Sequence, residues 1–329
     1  MAIPPWTPLC SACTSFLPLD PLPFWWREII VGLDNFSNIP LAILPNALDD
    51  DGEDDGDEWG SYRNLKHLTV GRGIPSQVVQ DGTLEKKYAA SNVVLGLLGK
   101  TGNIPFTLAD KMSGVDLIVG LDIARERKTR LAGSMNATAI ARIYMSDGEF
   151  LRYVIHDAPL EGETIPEGVL QSLFPKLDFE NRRVIVHRDG YFRGNEKNTL
   201  HAWGRSIGAT FHLIEVIKSG TPRIYGFEGA HASMPQKGMM LRLSEREAFV
   251  VSSLPPGGNS TPKPIHIRTD GTLPLDLAVE SILSLTLLHY GSVRPPRLPV
   301  TIHYADKIAY LAMRGIKPRD AEGVTPFWL

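Results

Sequence analysis

The sequence predicts an α/β protein of about two domains, and three observations carry that prediction. The chain has 329 residues, against ~150 for a typical domain, so a sizeable core is affordable. Apolar residues make up 43% and charged residues 22%, ordinary globular usage that excludes disorder along the whole chain. Short apolar runs of strand length alternate with stretches whose apolar residues recur at helical spacing. No run approaches the ~18 apolar residues that a membrane helix needs, so no membrane partner is expected. Cys10 and Cys13 are the whole cysteine complement. They cannot make a disulfide framework, which favours a reducing, cytoplasmic address.

The elements follow in chain order. Residues 1–28 are Pro-rich and aromatic without a period, an irregular segment that also lacks the basic start of a signal peptide. Residues 29–33 and 41–44 are apolar runs that read as buried strands. Residues 83–99 place Leu84, Tyr88, Val93, Val94, Leu97 and Leu98 near helical spacing and predict an amphipathic helix. Residues 116–123, 138–145 and 150–156 read as three strands, the last two joined by the turn Ser146-Asp147-Gly148-Glu149, which suggests a meander. A helix is expected over 166–174, a strand over 183–187, a helix over 196–207 and a strand over 211–217. Residues 223–268 read as β-rich with turns at 255–258, and helices over 275–290 and 303–314 follow. Three strands, a helix, a strand and a helix around two Asp-bearing strands is the layout of an RNase H-like α/β domain.

The net charge of −3 hides an uneven distribution. Of 37 acids, eight lie within residues 49–58; the other 29 face 34 Lys and Arg, leaving a body of +5. So dense a run of like charge predicts a hydrated surface loop. It lacks the ligand spacing and terminal Glu of an EF-hand. A mildly basic body is compatible with a polyanionic partner. Cys10-x-x-Cys13 has no second ligand pair, so it does not read as a zinc site.

Two carboxylates stand out chemically. Asp122 closes the apolar run Val119-Gly120-Leu121-Asp122, and Asp189 closes Val184-Ile185-Val186-His187-Arg188-Asp189. A charge on a buried strand is costly unless it is paired or metal-bound. On neighbouring strands the two would face one cleft, as hydrolysis of a phosphodiester with two divalent ions requires. Ordinary alternatives stand beside this: Asp189-Gly190 is also a common strand-ending turn, and Asp122 has Arg125 nearby.

The segments that carry these residues, taken in order, resemble the C-terminal half of Argonaute proteins. Ile43-Leu44-Pro45 with Tyr62-Arg63-Asn64-Leu65-Lys66 resembles that family's strand and Tyr-x-x-x-Lys guide-phosphate motif. Gly73-Ile74-Pro75-Ser76-Gln77-Val78-Val79 is similar to its Gln-bearing turn, and Gly99-Lys100-Thr101-Gly102 to its phosphate-binding Lys. Val119-Gly120-Leu121-Asp122 and Val186-His187-Arg188-Asp189-Gly190 resemble two PIWI strands, and residues 297–311 the entry to the last helix. The resemblance spans about residues 40–329. It implies a partial, Rossmann-like MID domain over 29–108 and an RNase H-like PIWI domain over 109–329.

That resemblance implies a guide-directed, metal-dependent endonuclease. Asp122, Glu163, Asp189 and Asp306 would be the catalytic set, with Glu161 in reserve, Glu149 also open, and His303 competing for the last place. Asp122, Asp189 and Asp306 would hold Mg²⁺ or Mn²⁺. Tyr62, Lys66, Gln77 and Lys100 would bind the 5′-phosphate of a guide DNA or RNA, and a complementary DNA or RNA would be the target. The apolar end Phe327-Trp328-Leu329 resembles termini whose carboxylate joins a metal near that phosphate. The family's N-terminal and PAZ domains have no counterpart here, so a fragment, a truncated product, or a split protein with a separate chain supplying them is implied. Arg125, Arg127, Lys128 and Arg130 would touch nucleic-acid phosphates or form an exposed turn. A non-cleaving guide-binding module that signals to a partner is the alternative, and an RNase H-like nuclease independent of guides is a third reading.

Overall fold

The computed structural model describes residues 17–18, 39, 41–44, 61–80, 83–86, 88–125, 135–160, 164–255, 261–270, 272–313 and 315–329. The readings for residues 29–33 and 49–60, for Cys10 and Cys13, and for Arg127, Lys128 and Arg130 lie outside the described residues.

Strands β1 (Leu17–Pro18), β2 (Leu41–Leu44) and β3 (Gln77–Gln80) form a parallel sheet. Helix α1 (Ser61–Val70) lies between β2 and β3, the helical crossover that parallel neighbours need. Ala42 and Leu65 are fully buried there, with Tyr62, Leu68, Ile74 and Val78 packed around them. The helix expected over 83–99 is two elements. A 3₁₀ turn, Thr83–Glu85, comes first, and α2 (Ala89–Lys100) starts after Tyr88, whose φ of 67° breaks the helix. A left-handed tyrosine carries no glycine or asparagine signature, so periodicity runs straight through it.

The second sheet has nine strands. In chain order they are β4 (Leu117–Arg125), β5 (Met135–Met145), β6 (Phe150–Leu160), β7 (Arg183–Asp189), β8 (Thr210–Ile217), β11 (Met240–Ser244), β12 (Glu247–Val250), β13 (Ile265–Asp270) and β14 (Glu322–Gly323), with a separate hairpin of β9 (Gly226–Glu228) and β10 (His231–Ser233). The spatial order is β11-β12-β13-β8-β7-β4-β5-β6-β14. Strands β4, β5 and β6 form the expected antiparallel meander, while β4, β7 and β8 run parallel. Three antiparallel strands flanked by two parallel ones is the predicted RNase H-like arrangement.

Helices cover both faces, which is why β4 and β7 read as continuous apolar runs. Helices α3 (Glu167–Leu173), α4 (Lys176–Phe179) and α5 (Glu196–Ser206) provide the crossovers. Phe174, Phe179 and Leu200 from these segments pack with Leu117, Val119, Leu121, Val184 and Val186 on one face. On the other, α6 (Leu275–Leu285) and α7 (Val300–Met313) place Ile282, Val300, Ile302 and Ile308 with Ile118, Ile140, Ile185 and Ile214. Because strand side chains alternate, Gly120 and Asp122 share the α7 face with Ile118, and His187 and Asp189 share it with Ile185. Gly120 is needed there: a Cβ at 120 would run into the backbone carbonyl of Thr301, so its absence lets α7 lie directly on β4. His187 fastens the two helices to the sheet. Its Nδ1 pairs with Thr301 Oγ1 at 2.9 Å and its Nε2 with Ser281 Oγ at 3.0 Å. Among the described residues no helix is long and apolar enough to cross a membrane.

Candidate functional site

The register of the parallel pair sets the first two carboxylates side by side. Gly120 lies opposite His187 and Leu121 opposite Arg188, so Asp122 and Asp189 come next, just where the pairing of β4 with β7 ends. Helix α7, resting on Gly120, delivers Asp306 to the same place. Oxygens of Asp122, Asp189 and Asp306 all lie within 4.8 Å of one another. These three are separated by up to 184 residues in sequence.

Three carboxylates this close repel. Burial, then the charge of Asp189, raises the Asp122 carboxyl, with Arg188 opposing; its Nη1 stands 3.9 Å from Asp122 Oδ1. Arg188 is thus a cation beside Asp122; the side chain of Arg125, the partner considered from sequence, lies outside what the structure describes. Burial and Asp189 also push Asp306 up to about 7, against the opposing pull of Lys218. Lys218, one residue beyond β8, donates from its ammonium to Asp189 Oδ2 at 2.8 Å and to both oxygens of Asp306 at 2.6 Å. Sequence reading passed over this lysine. The available signal was the one used for Asp189: a charge closing an apolar strand.

An all-oxygen set suits a hard divalent ion such as Mg²⁺ or Mn²⁺. Two of the three carboxylates, Asp189 and Asp306, already share one cation, the Lys218 ammonium. His303 is not in the triad: it packs on His289 with ring centroids 4.8 Å apart, and burial lowers its pKa to about 3. Glu149 sits at the wrong end of the sheet. Met145, just before its turn, pairs with Leu117, whereas Asp122 pairs with Ile140, five residues or ~16 Å further along. Glu161 and Glu163 lie outside the described residues. The described flank Ile165 donates its N–H to Glu196 Oε1 at 2.8 Å, next to Arg193 on the same helix entry.

The four residues of the expected phosphate pocket are also brought together. Lys66 is 2% exposed and Lys100 3%. Lys66 donates to the carbonyl of Ser76 at 2.9 Å and lies 5.9 Å from the centre of the Tyr62 ring. Lys100 donates to Gln77 Oε1 at 2.6 Å. Gly96 makes room for that amide, since a Cβ there would sit 3.0 Å from Gln77 Oε1. Neither lysine has a carboxylate partner among the described residues. Burial, then the charge of Lys307, lowers Lys66 to about 7; burial, Lys66 and Lys307 lower Lys100 well below its usual range. Two buried lysines this close without a counter-charge are held toward the neutral form, and an anion between them would favour their protonation.

The chain end is built into the same region. Trp328 lies over the guanidinium of Arg142 at 4.0 Å, with Tyr304 at 4.7 Å, Phe150 at 5.0 Å and Tyr144 at 5.1 Å completing an aromatic box. Arg142 Nη1 donates to the Val300 carbonyl at 3.2 Å, at the start of α7. The side chain of Leu329 packs against Gly99 of α2, beside Lys100.

Comparison with known proteins accords with this geometry. Residues 54–317 match the family model of the Piwi domain. An argonaute protein of Aquifex aeolicus is 37% identical over 276 residues, covering 82% of this chain and 38% of its own length. The solved structure of Aquifex aeolicus Argonaute superposes with a TM-score of 0.70 at 32% identity, over 88% of this chain and 42% of that one. The structure of Clostridium butyricum Argonaute bound to a guide DNA and a 19-mer target DNA gives 0.77 at 25% identity, over 92% and 41%. This chain therefore spans less than half the length of the relatives it matches.

Proposed function

The chain belongs to the Argonaute family through its Piwi domain, and from that premise we propose that it is the guide-binding and cleaving core of a nucleic-acid-directed endonuclease. The observation that carries the proposal is the convergence of Asp122, Asp189 and Asp306 within 4.8 Å, where the parallel pairing of β4 with β7 ends. In this reading Tyr62, Lys66, Gln77 and Lys100 hold the 5′-phosphate of a guide, within a partial MID domain over 29–108, and pairing with the guide selects the target. The PIWI domain over 109–329 then cuts one target phosphodiester.

The roles follow from the side chains. Asp122, Asp189 and Asp306 would hold Mg²⁺ or Mn²⁺, with Glu163 as the fourth carboxylate. Bound there, the ions would activate a water and neutralise charge on the phosphate. Lys66 and Lys100 would bind the guide phosphate through charge-assisted hydrogen bonds, and Tyr62 would stack on the first base. A guide or target of DNA or RNA is compatible with these contacts, as is a separate chain supplying N-terminal and PAZ domains.

A single-turnover assay tests the proposal, with Mn²⁺, 5′-phosphorylated DNA and RNA guides, and labelled complementary targets. One cut at a fixed distance from the guide end is the expected product. No cut, with phosphate-dependent guide binding retained, replaces it with a binding module that signals pairing to a partner.

A further inference from the structure

Lys218 stands where the acidic triad most needs positive charge. Its ammonium is 2.8 Å from Asp189 Oδ2 and 2.6 Å from each oxygen of Asp306. A divalent ion coordinates such oxygens at ~2.0–2.1 Å. An ion on those oxygens and an ammonium within hydrogen-bond distance of the same oxygens would stand a few ångströms apart and repel.

The side chain has a way out. It is 33% exposed and borders an open cleft that Asp122 and Asp189 line together with Gly190, Tyr191, Arg193 and Ser219, so it can leave the carboxylates for the outer part of that cleft. Its root is fixed, since Arg297 Nη2 donates to the Lys218 carbonyl at 2.8 Å. A flexible four-carbon stem on a pinned backbone can swing between the triad and the cleft without moving β8.

We infer that Lys218 is a tethered counter-cation that occupies the metal position of the Asp122–Asp189–Asp306 site and is expelled into the cleft when a divalent ion binds, so that it sets the ion concentration at which the site loads. The inference rests on the metal-site reading of the triad. It differs from a plain structural ion pair in sign: loss of a structural pair weakens the site, whereas loss of a competitor strengthens its hold on metal.

The test is calorimetric titration of Mn²⁺ into the metal-stripped 329-residue chain, as wild type, Lys218→Met, Lys218→Arg and Asp189→Asn. Lys218→Met is expected to bind Mn²⁺ about tenfold tighter or more, the worth of losing charge-assisted hydrogen bonds that the ion otherwise has to break. Its metal-free melting temperature should fall and its gain on adding Mn²⁺ should exceed that of wild type. Lys218→Arg should stay near wild type. Equal or weaker Mn²⁺ binding by folded Lys218→Met overturns the inference and leaves the metal site standing. No Mn²⁺ binding by wild type or Lys218→Met, or undiminished binding by Asp189→Asn, removes the metal site and the inference with it. If Lys218→Met does not stay folded without metal, amine-reactive labelling of wild-type Lys218, read by mass spectrometry, decides. Labelling must rise with Mn²⁺, and unchanged labelling overturns the inference.

Discussion

Asp306 and Lys307 are consecutive residues of α7 that carry opposite charges to two different sites. Asp306 joins Asp122 and Asp189, while the charge of Lys307 is felt at both Lys66 and Lys100. One helix, seated on Gly120, thus supplies a member of the acidic centre and a charge felt by the buried lysines. The two sites are separable by mutation, because each has its remaining members on other elements.

Asp189→Ala is expected to abolish target cleavage, by more than ~100-fold, since even partners that merely orient metal ligands are worth 10–100-fold. Affinity for a 5′-phosphorylated guide should stay within about twofold, as distant sites add independently. Undiminished cutting by the folded variant would reject the catalytic assignment.

Lys66→Ala and Lys100→Ala should each weaken binding of a 5′-phosphorylated strand by about tenfold or more, the scale of a charge-assisted hydrogen bond. Affinity for a 5′-hydroxyl strand should change far less. The informative quantity is the phosphate-to-hydroxyl preference, measured by filter binding. If that preference survives in both variants, the guide-independent nuclease becomes the better reading.

The lysine pocket also predicts a pH dependence. Burial lowers Lys66 to about 7 from 10.5, so between those values the unfolded chain holds a proton that the folded chain lacks. Unfolding free energy from this residue therefore rises with pH across that window, and the penalty is complete below about 7. The melting temperature of the free chain should climb between about pH 7 and pH 9, with a shallower slope in Lys66→Met. At about pH 8 the guide phosphate is already a dianion, so its binding should draw a proton onto Lys66. Calorimetry in buffers of different ionisation enthalpy reads that uptake.

Gly120→Ala places a methyl against the Thr301 backbone carbonyl. No flexible side chain can give way there, so α7 has to shift. A loss of ~1–3 kcal/mol of stability is expected from overpacking, measured by urea unfolding. Mn²⁺ affinity should fall with it, because the shift carries Asp306 away from the strands.

Trp328→Ala removes the ring nearest the buried guanidinium of Arg142. A cost of ~3–5 kcal/mol is expected for truncating a buried tryptophan, again by urea unfolding. Guide-phosphate affinity should drop as well, since Leu329 would lose its seat against Gly99 beside Lys100. Retained affinity would mean that α2 holds its place without the chain end.

The parts legible in the sequence were those whose burial leaves a mark on residue order. Strands β4 and β7 are covered on both faces, so they appear as apolar runs in which Asp122 and Asp189 are conspicuous. Asp306 had no such mark, because an acid on a half-buried helix looks like any solvated one. It came from resemblance, and Tyr62, Lys66, Gln77 and Lys100 owed most of their assignment to the same source. Lys218 carried the same mark as Asp189, a charge closing an apolar strand, but a lysine there ordinarily points to water; the folded neighbours show that it meets Asp189 and Asp306. The break at Tyr88 was hidden because the apolar spacing of residues 83–99 continues across a backbone angle that side-chain periodicity does not report. Strands β11 to β13 were readable as β structure but not as the extension of one nine-stranded sheet, since their pairing with β8 depends on contacts remote in sequence.

Among the described residues, helix α7 comes after thirteen of the fourteen strands. During synthesis a domain generally folds as a unit once it has emerged, and α7 packs directly on β4 in the core of the nine-stranded sheet. A nascent chain that stops short of α7 thus lacks both Asp306 and the helix on which β4 closes. The order of the genetic message thus delays assembly of the acidic cluster until the helix that completes it has left the ribosome.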